Sequence, residues 1–133
     1  MKIVLASSSE YRKALLARLN LEFLVQSPEI DEQAQPAESG RDLACRLAKE
    51  KAVAVASWHD PETFVIGSDQ VAECNGELLG KPLTKDRAVD QLLKLSGQEV
   101  TFHTAMAISH CEKVDLAYVA TQIGLRTLSR EEI

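Results

Sequence analysis

The sequence has no long apolar run. A membrane-spanning helix needs about 18 or more consecutive apolar residues, and the apolar stretches here are strand-sized, so no membrane partner is expected. A secretory leader needs an apolar core of about 7–15 residues. The first residues, MKIVLASSSEYRK, offer only Ile3 to Ala6, so the expected compartment is the cytoplasm. Basic charge is also in short supply: 15 Lys and Arg against 20 Asp and Glu give a net charge of −5. Sequence-independent binding to nucleic acid requires a basic surface, and no nucleic-acid partner is expected. A small anionic ligand is not excluded, because a few basic residues focused in one cleft bind phosphates even on an acidic protein. Aromatic residues are only 5% of the chain. Tyr11, Phe23 and Trp58 are too scattered for a base-stacking platform.

Reactive motifs are missing as well. Cys45, Cys74 and Cys111 are odd in number and form no Cys-x-x-Cys pair, so they read as buried or bystander thiols in a reducing compartment. His59, His103 and His110 have no metal-ligand spacing and read as structural. His103 interrupts an alternating strand and could simply face solvent. There is no Gly-x-Ser-x-Gly and no His-Glu-x-x-His, which removes common hydrolase signatures. No Gly-rich loop ends in Gly-Lys-Ser or Gly-Lys-Thr, so this is not a P-loop protein.

What is present describes one globular α/β domain. The 133 residues are 45% hydrophobic, enough for a real core. Lys2 to Ala6 predicts a buried strand, followed by the Ser7-Ser8-Ser9 turn and a helix from Tyr11 to Leu19. Phe23 to Val25 predicts a short strand, and Ser27 to Gly40 an exposed acidic loop. Arg41 to Ser57 predicts a helix rich in alanine, and Thr63 to Gly67 a strand. Val71 to Leu79 predicts a hairpin turning at Asn75-Gly76. Thr84 caps a helix running to Leu95. Period-two patterns then predict strands over Val100 to Ile108 and Val114 to Leu128, with a bulge near Gln122 where the alternation slips. Ser129-Arg130-Glu131-Glu132 is a capping-box pattern that announces a helix just before Ile133, so a chain truncated at its C-terminal end is expected.

Four places could carry chemistry. Ser7-Ser8-Ser9 with Arg12 sits after a strand and at a helix N-terminus, where free N–H groups, hydroxyls and a guanidinium suit an anion; a Ser-rich cap is more often only a cap. Asp69 follows Gly67-Ser68 at the carboxyl end of a predicted buried strand, where ligands bind in α/β folds. It could hold a cation or take a proton from water, or simply cap a turn. Asp31-Glu32 could serve magnesium or merely be a solvated loop. Lys81 sits between Gly80 and Pro82, where its ammonium could be aimed; Lys51 competes on its helix with Arg46 and Lys49.

Taken together and in order, these segments resemble the Maf family of nucleotide pyrophosphatases. Leu5 to Arg12 followed by Leu15-Leu16 resembles the family's L-A-S-x-S-P-R-R-x-x-L-L, and Arg46 to Ala52 its R-L-A-x-x-K-A helix. Gly67 to Val71 and Gly80-Lys81-Pro82 resemble G-A-D-T-V and G-K-P, and Leu95-Ser96-Gly97, Thr104 and Arg126 to Ser129 resemble the C-terminal half. Glu10, Tyr11 and Gln70 depart from the pattern, as does Val100. The first departures are similar to the branch acting on 7-methyl-GTP rather than on dTTP and UTP. A cationic 7-methylguanine would suit an acidic or aromatic neighbour such as Glu10 or Tyr11.

The resemblance implies a twisted mixed β-sheet flanked by helices, with two lobes around a nucleotide cleft. It implies hydrolysis of a nucleoside triphosphate between its α- and β-phosphates. Asp69 is then the catalytic residue. Glu32 and Asp69 hold a divalent cation (magnesium, manganese or cobalt), and Ser7, Ser9, Arg12, Lys51 and Lys81 grip the triphosphate. Arg12 and Gln70 set specificity. A homodimer is compatible with this reading. The rival is a nucleotide-binding regulator of cell division without turnover.

Overall fold

Four apolar residues in a row make the first strand because both of its faces are covered: Ile3, Val4, Leu5 and Ala6 are all buried. In the computed structural model, which describes residues 1–80, 84–127 and 129, the elements run in this order. They are β1 (Ile3–Ala6), α1 (Glu10–Ala17), β2 (Leu24–Gln26), α2 (Gly40–Ala56), β3 (Phe64–Cys74), β4 (Glu77–Leu79), α3 (Lys85–Leu95), β5 (Glu99–His110) and β6 (Lys113–Gly124). The strands form one mixed sheet in the order β2-β1-β3-β5-β6, with β4 also paired to β3. β2, β1 and β3 are parallel. β4, β5 and β6 join antiparallel. The expected mixed sheet with flanking helices is present.

The core forms where α2 lies across the sheet. Ala44, Ala48, Ala52 and Val55 recur at helical spacing and are fully buried. Such small residues let the helix approach closely. A Cβ at Gly67 of β3 would stand 2.2 Å from the Ala48 carbonyl oxygen and 2.7 Å from the Ala52 nitrogen, so only glycine fits. Val4, Val55 and Val65 are the largest fully buried side chains, each contributing about 1.5–3 kcal/mol of burial free energy. Ser39 caps α2 by accepting from the Asp42 N–H at 3.1 Å.

The central strand differs from expectation. It does not stop at Gly67 but runs on to Cys74, because β5 pairs with it from Val65 to Glu73. Asp69, expected at a strand end, therefore lies in mid-strand opposite Ala105. The strand that does end there is β1, whose last partner pair is Ala6 with Gly67. β4 begins only at Ala72. Between these partners, from Ser68 to Val71, one edge of β3 has no strand beside it among the described residues. This notch in the sheet is where a cleft opens.

Smaller corrections have local causes. α1 stops at Ala17 rather than Leu19: three i→i+3 bonds tighten the chain and Asn20 turns left-handed at φ 57°. β2 is displaced by one residue, with Gln26 held by His59 Nε2 at 2.6 Å. No bulge occurs at Gln122, where the β5–β6 register runs unbroken from Glu99–Gly124 to His110–Lys113, and β6 ends at Gly124. His103 does not face solvent; its ring nitrogens meet Glu73 Oε1 at 2.9 Å and the Tyr118 hydroxyl at 2.7 Å. The Asn75-Gly76 turn is as expected, with φ of 52° and 79°. Cys74 is buried, Cys45 partly so, and Cys111 exposed. Lys81 and most of the Ser129–Glu132 capping pattern lie outside the described residues. Among those described, no helix is long and apolar enough to cross a membrane.

Candidate active site

The notch in β3 opens into a cleft of about 530 Å³. Every expected site residue among those described lines it: Ser7, Ser9, Arg12, Glu32, Lys51, Asp69 and Gln70. Lys81 lies outside the described residues, although Gly80 before it is on the rim. Glu10 and Tyr11 do not line the cleft, and Tyr11 is exposed on α1.

Three elements supply the groups. The β1–α1 turn brings its serines to one wall. Ser7 Oγ accepts from the Ser9 N–H at 3.1 Å, and Ser9 Oγ caps α1 by accepting from the Arg12 N–H at 3.2 Å. Both hydroxyls are therefore used locally as acceptors, yet a hydroxyl that accepts still has a proton to donate. Arg12 is one turn into α1 and half-buried. From α2 come Leu43, Leu47 and Lys51, four residues apart and so on one stripe of the helix. The apolar pair floors the cleft and the ammonium ends it.

Lys51 is the centre of the site. Its Nζ lies 2.8 Å from Glu32 Oε1 and 3.0 Å from Asp69 Oδ1. Asp69 is buried, being 8% exposed. Burial pushes its carboxyl above the ordinary value of 3.8, Lys51 and Arg12 oppose that shift, and Glu32 adds to it. A carboxylate raised in a cleft is a recurring feature of proton-transfer sites.

The sequence did not separate Lys51 from its neighbours on the helix; the fold does. Arg46 turns the other way and clamps the acidic loop. It donates Nε to Glu38 Oε2 at 2.7 Å, Nη2 to Glu38 Oε1 at 3.0 Å, Nη1 to Glu50, and Nη2 to the Gln33 carbonyl at 3.1 Å. Gln33 adjoins Glu32, so this clamp sets the loop that delivers Glu32. Glu38 and Arg46 were not anticipated as supports, because their separation of eight residues spans a loop and a helix end. Asp31 is occupied in a turn, accepting from the Gln33 N–H at 3.0 Å, which leaves Glu32 as the carboxylate facing the cleft.

Two carboxylates already hold one cation, the Lys51 ammonium, between them. Among the described residues no group of three or more His, Cys, Asp or Glu side chains could hold a metal ion. The donor set thus fits a magnesium-like ion that takes one or two carboxylates and completes its shell with water and phosphate oxygens, and not a closed all-protein cage.

Comparison with known proteins places the whole chain. The family model described as Maf-like protein matches residues 2–133. A Xanthomonas axonopodis pv. citri protein named 7-methyl-GTP pyrophosphatase is 51% identical over 132 residues, covering 99% of this chain and 69% of its own length. A Bordetella pertussis protein of the same name is 50% identical over 128 residues, covering 96% of this chain. The chain spans 64% of the length of that relative. Among solved structures, the Staphylococcus aureus Ham1 protein shares the fold with a TM-score of 0.63 at 17% identity, over 93% of this chain and 71% of its own. A nucleoside-triphosphatase, dITP/XTP pyrophosphatase, from Mycobacterium abscessus has a TM-score of 0.57 at 17% identity, over 93% and 74%. With a family match over essentially its whole length and identities near one half, the chain belongs to the Maf family.

Proposed function

We propose that the protein hydrolyses a nucleoside triphosphate at the α–β phosphate anhydride, releasing a nucleoside monophosphate and diphosphate. 7-methyl-GTP is the substrate that the names of its relatives point to. The observation that carries this reading is the convergence of Asp69, Lys51 and Glu32 within 3.0 Å contacts, in a cleft walled by Ser7–Ser9 and Arg12.

In this reading Asp69 orients the attacking water and takes its proton. The water oxygen bonds to phosphorus, the anhydride bond breaks, and diphosphate leaves. A base so placed contributes roughly 10²–10⁴-fold. Lys51 and Arg12 offset the phosphate charge, and the serine hydroxyls and α1 N–H groups bind phosphate oxygens. Lys81, next to Gly80 on the rim, is a further candidate for the same task. Glu32 and Asp69 would hold a divalent cation, which supplies charge neutralisation and a more acidic bound water. Lys51, which spans these carboxylates, is free to turn to the phosphates once another cation is there. Gln70 and Arg12 discriminate between nucleotides.

The test is product analysis with 7-methyl-GTP, GTP, dTTP, UTP and CTP, with magnesium or manganese. Diphosphate released from 7-methyl-GTP and lost in Asp69→Asn is expected. Orthophosphate as the product would mean the wrong bond, and nucleotide bound without turnover would leave only the regulator.

A further inference from the structure

A second cavity, of about 420 Å³, lies between α3 and the sheet face turned away from α2. Its walls are apolar, with Ala72, Leu92, Leu95, Phe102, Ile123 and Leu125 among them. Gln70, Leu79 and Gly80 line both this cavity and the charged cleft, so the two adjoin at the notch in β3. Gln91 Nε2 donates to the Gly80 carbonyl at 2.8 Å and ties α3 to that shared rim. At the junction, Gln70 Nε2 donates to Oγ1 of Thr104, its cross-strand neighbour, at 3.1 Å. Holding one end of the amide fixes its plane and leaves its carbonyl to accept from a ligand.

The chemistry of the two cavities is complementary. Charged groups gather in the first, where phosphates gain most. A nucleobase has two apolar faces and a polar edge. Its faces lose water favourably only against walls such as Phe102 and Leu92, and its edge needs a fixed polar group at the mouth. A few hundred Å³ is an ordinary size for such a subsite.

We infer that the apolar cavity is the ring subsite, and that Thr104 is a positioning residue that aims the Gln70 amide at the polar edge of the base. This rests on the nucleotide reading above. A polar group held in place rejects a base that leaves it unpaired far more strongly than apolar contact does.

The experiment separates ring from phosphates by calorimetry on this chain, with fold checked by circular dichroism. Tripolyphosphate carries phosphates without a ring, and 7-methyl-GMP carries the ring with one phosphate. Leu92 is 38% exposed, so Leu92→Trp fills the cavity without rebuilding the core. It should weaken 7-methyl-GMP by about tenfold or more and leave tripolyphosphate unchanged. Thr104→Val should reduce the preference for 7-methyl-GMP over GMP by about tenfold, and Thr104→Ser should restore it. Equal losses for both ligands in Leu92→Trp, or an unchanged preference in Thr104→Val, would overturn the inference. A wild-type chain that binds 7-methyl-GMP but not tripolyphosphate would instead refute the phosphate assignment of the cleft.

Discussion

Helix α2 carries two clusters, each a cation set between two carboxylates, little more than one turn apart. Arg46 joins Glu38 and Glu50, and Lys51 joins Glu32 and Asp69. Their electrostatics run in opposite directions. Glu38 is held below the usual glutamate value, first by its hydrogen bond to Arg46. Asp69 is held above the usual aspartate value, first by burial, despite Lys51 at 3.0 Å. The first cluster stabilises the carboxylate it contains. The second holds its aspartate where burial disfavours ionisation and Lys51 and Arg12 only oppose that push. The guanidinium, with its rigid fork, ties a loop, and the flexible ammonium faces the cleft.

Breaking the second cluster gives the largest effects. Asp69→Asn should lower turnover by roughly 10²–10⁴-fold. It should not lower the melting temperature at pH 7. A carboxyl raised above 3.8 in the folded state favours folding only while protonated, and that contribution is lost as pH rises through its raised value. The neutral amide escapes this cost, so any advantage in thermal denaturation should fade as pH falls and the wild-type group protonates.

Lys51→Met comes next. The ammonium lowers the Asp69 value, so its loss should move the acid limb of the kcat/KM profile to higher pH and raise KM. Glu32 acts in the opposite sense, so Glu32→Gln should move that limb to lower pH. A limb that stays in place in both variants would mean that Asp69 is not the titrating base.

Gly67→Ala disturbs the approach of α2 to β3. With a Cβ 2.2 Å from the Ala48 carbonyl, it should cost about 1–3 kcal/mol in denaturant unfolding. It should also reduce activity, because the same approach sets the contact between Lys51 and Asp69. The smallest effect belongs to the first cluster. Glu38→Gln should give a small drop in melting temperature at pH 7. The drop should vanish as pH falls through the lowered Glu38 value, since that group's contribution exists only while it is ionised. Its effect on activity should be a raised KM through the loop bearing Glu32.

Much of this contrast was legible in advance, but unevenly. The Ser7–Ser9 cap, the alanine stripe of α2, the Asn75-Gly76 turn and the Thr84 cap are local signals, and each appears where expected. Asp69 does line the cleft but sits in mid-strand rather than at a strand end, because periodicity does not show which partner strand stops first. The slip near Gln122 suggested a bulge because β6 is exposed almost throughout, so alternation there carries little burial information. His103 is the structural histidine expected, but its partners Glu73 and Tyr118 were not legible because they come from other strands.

The sequence by itself determined most of the elements, the net acidic charge, and the types of side chain available to a phosphate site. These follow from periods, caps and charges within a few residues of each other. Only the tertiary structure decided which of Arg46 and Lys51 enters the cleft, that Glu32 rather than Asp31 meets it, and that Asp69 sits at a notch between two partner strands. Those choices depend on the close contact that Gly67 permits and on strand pairing between segments far apart in sequence, distances over which local patterns carry no information.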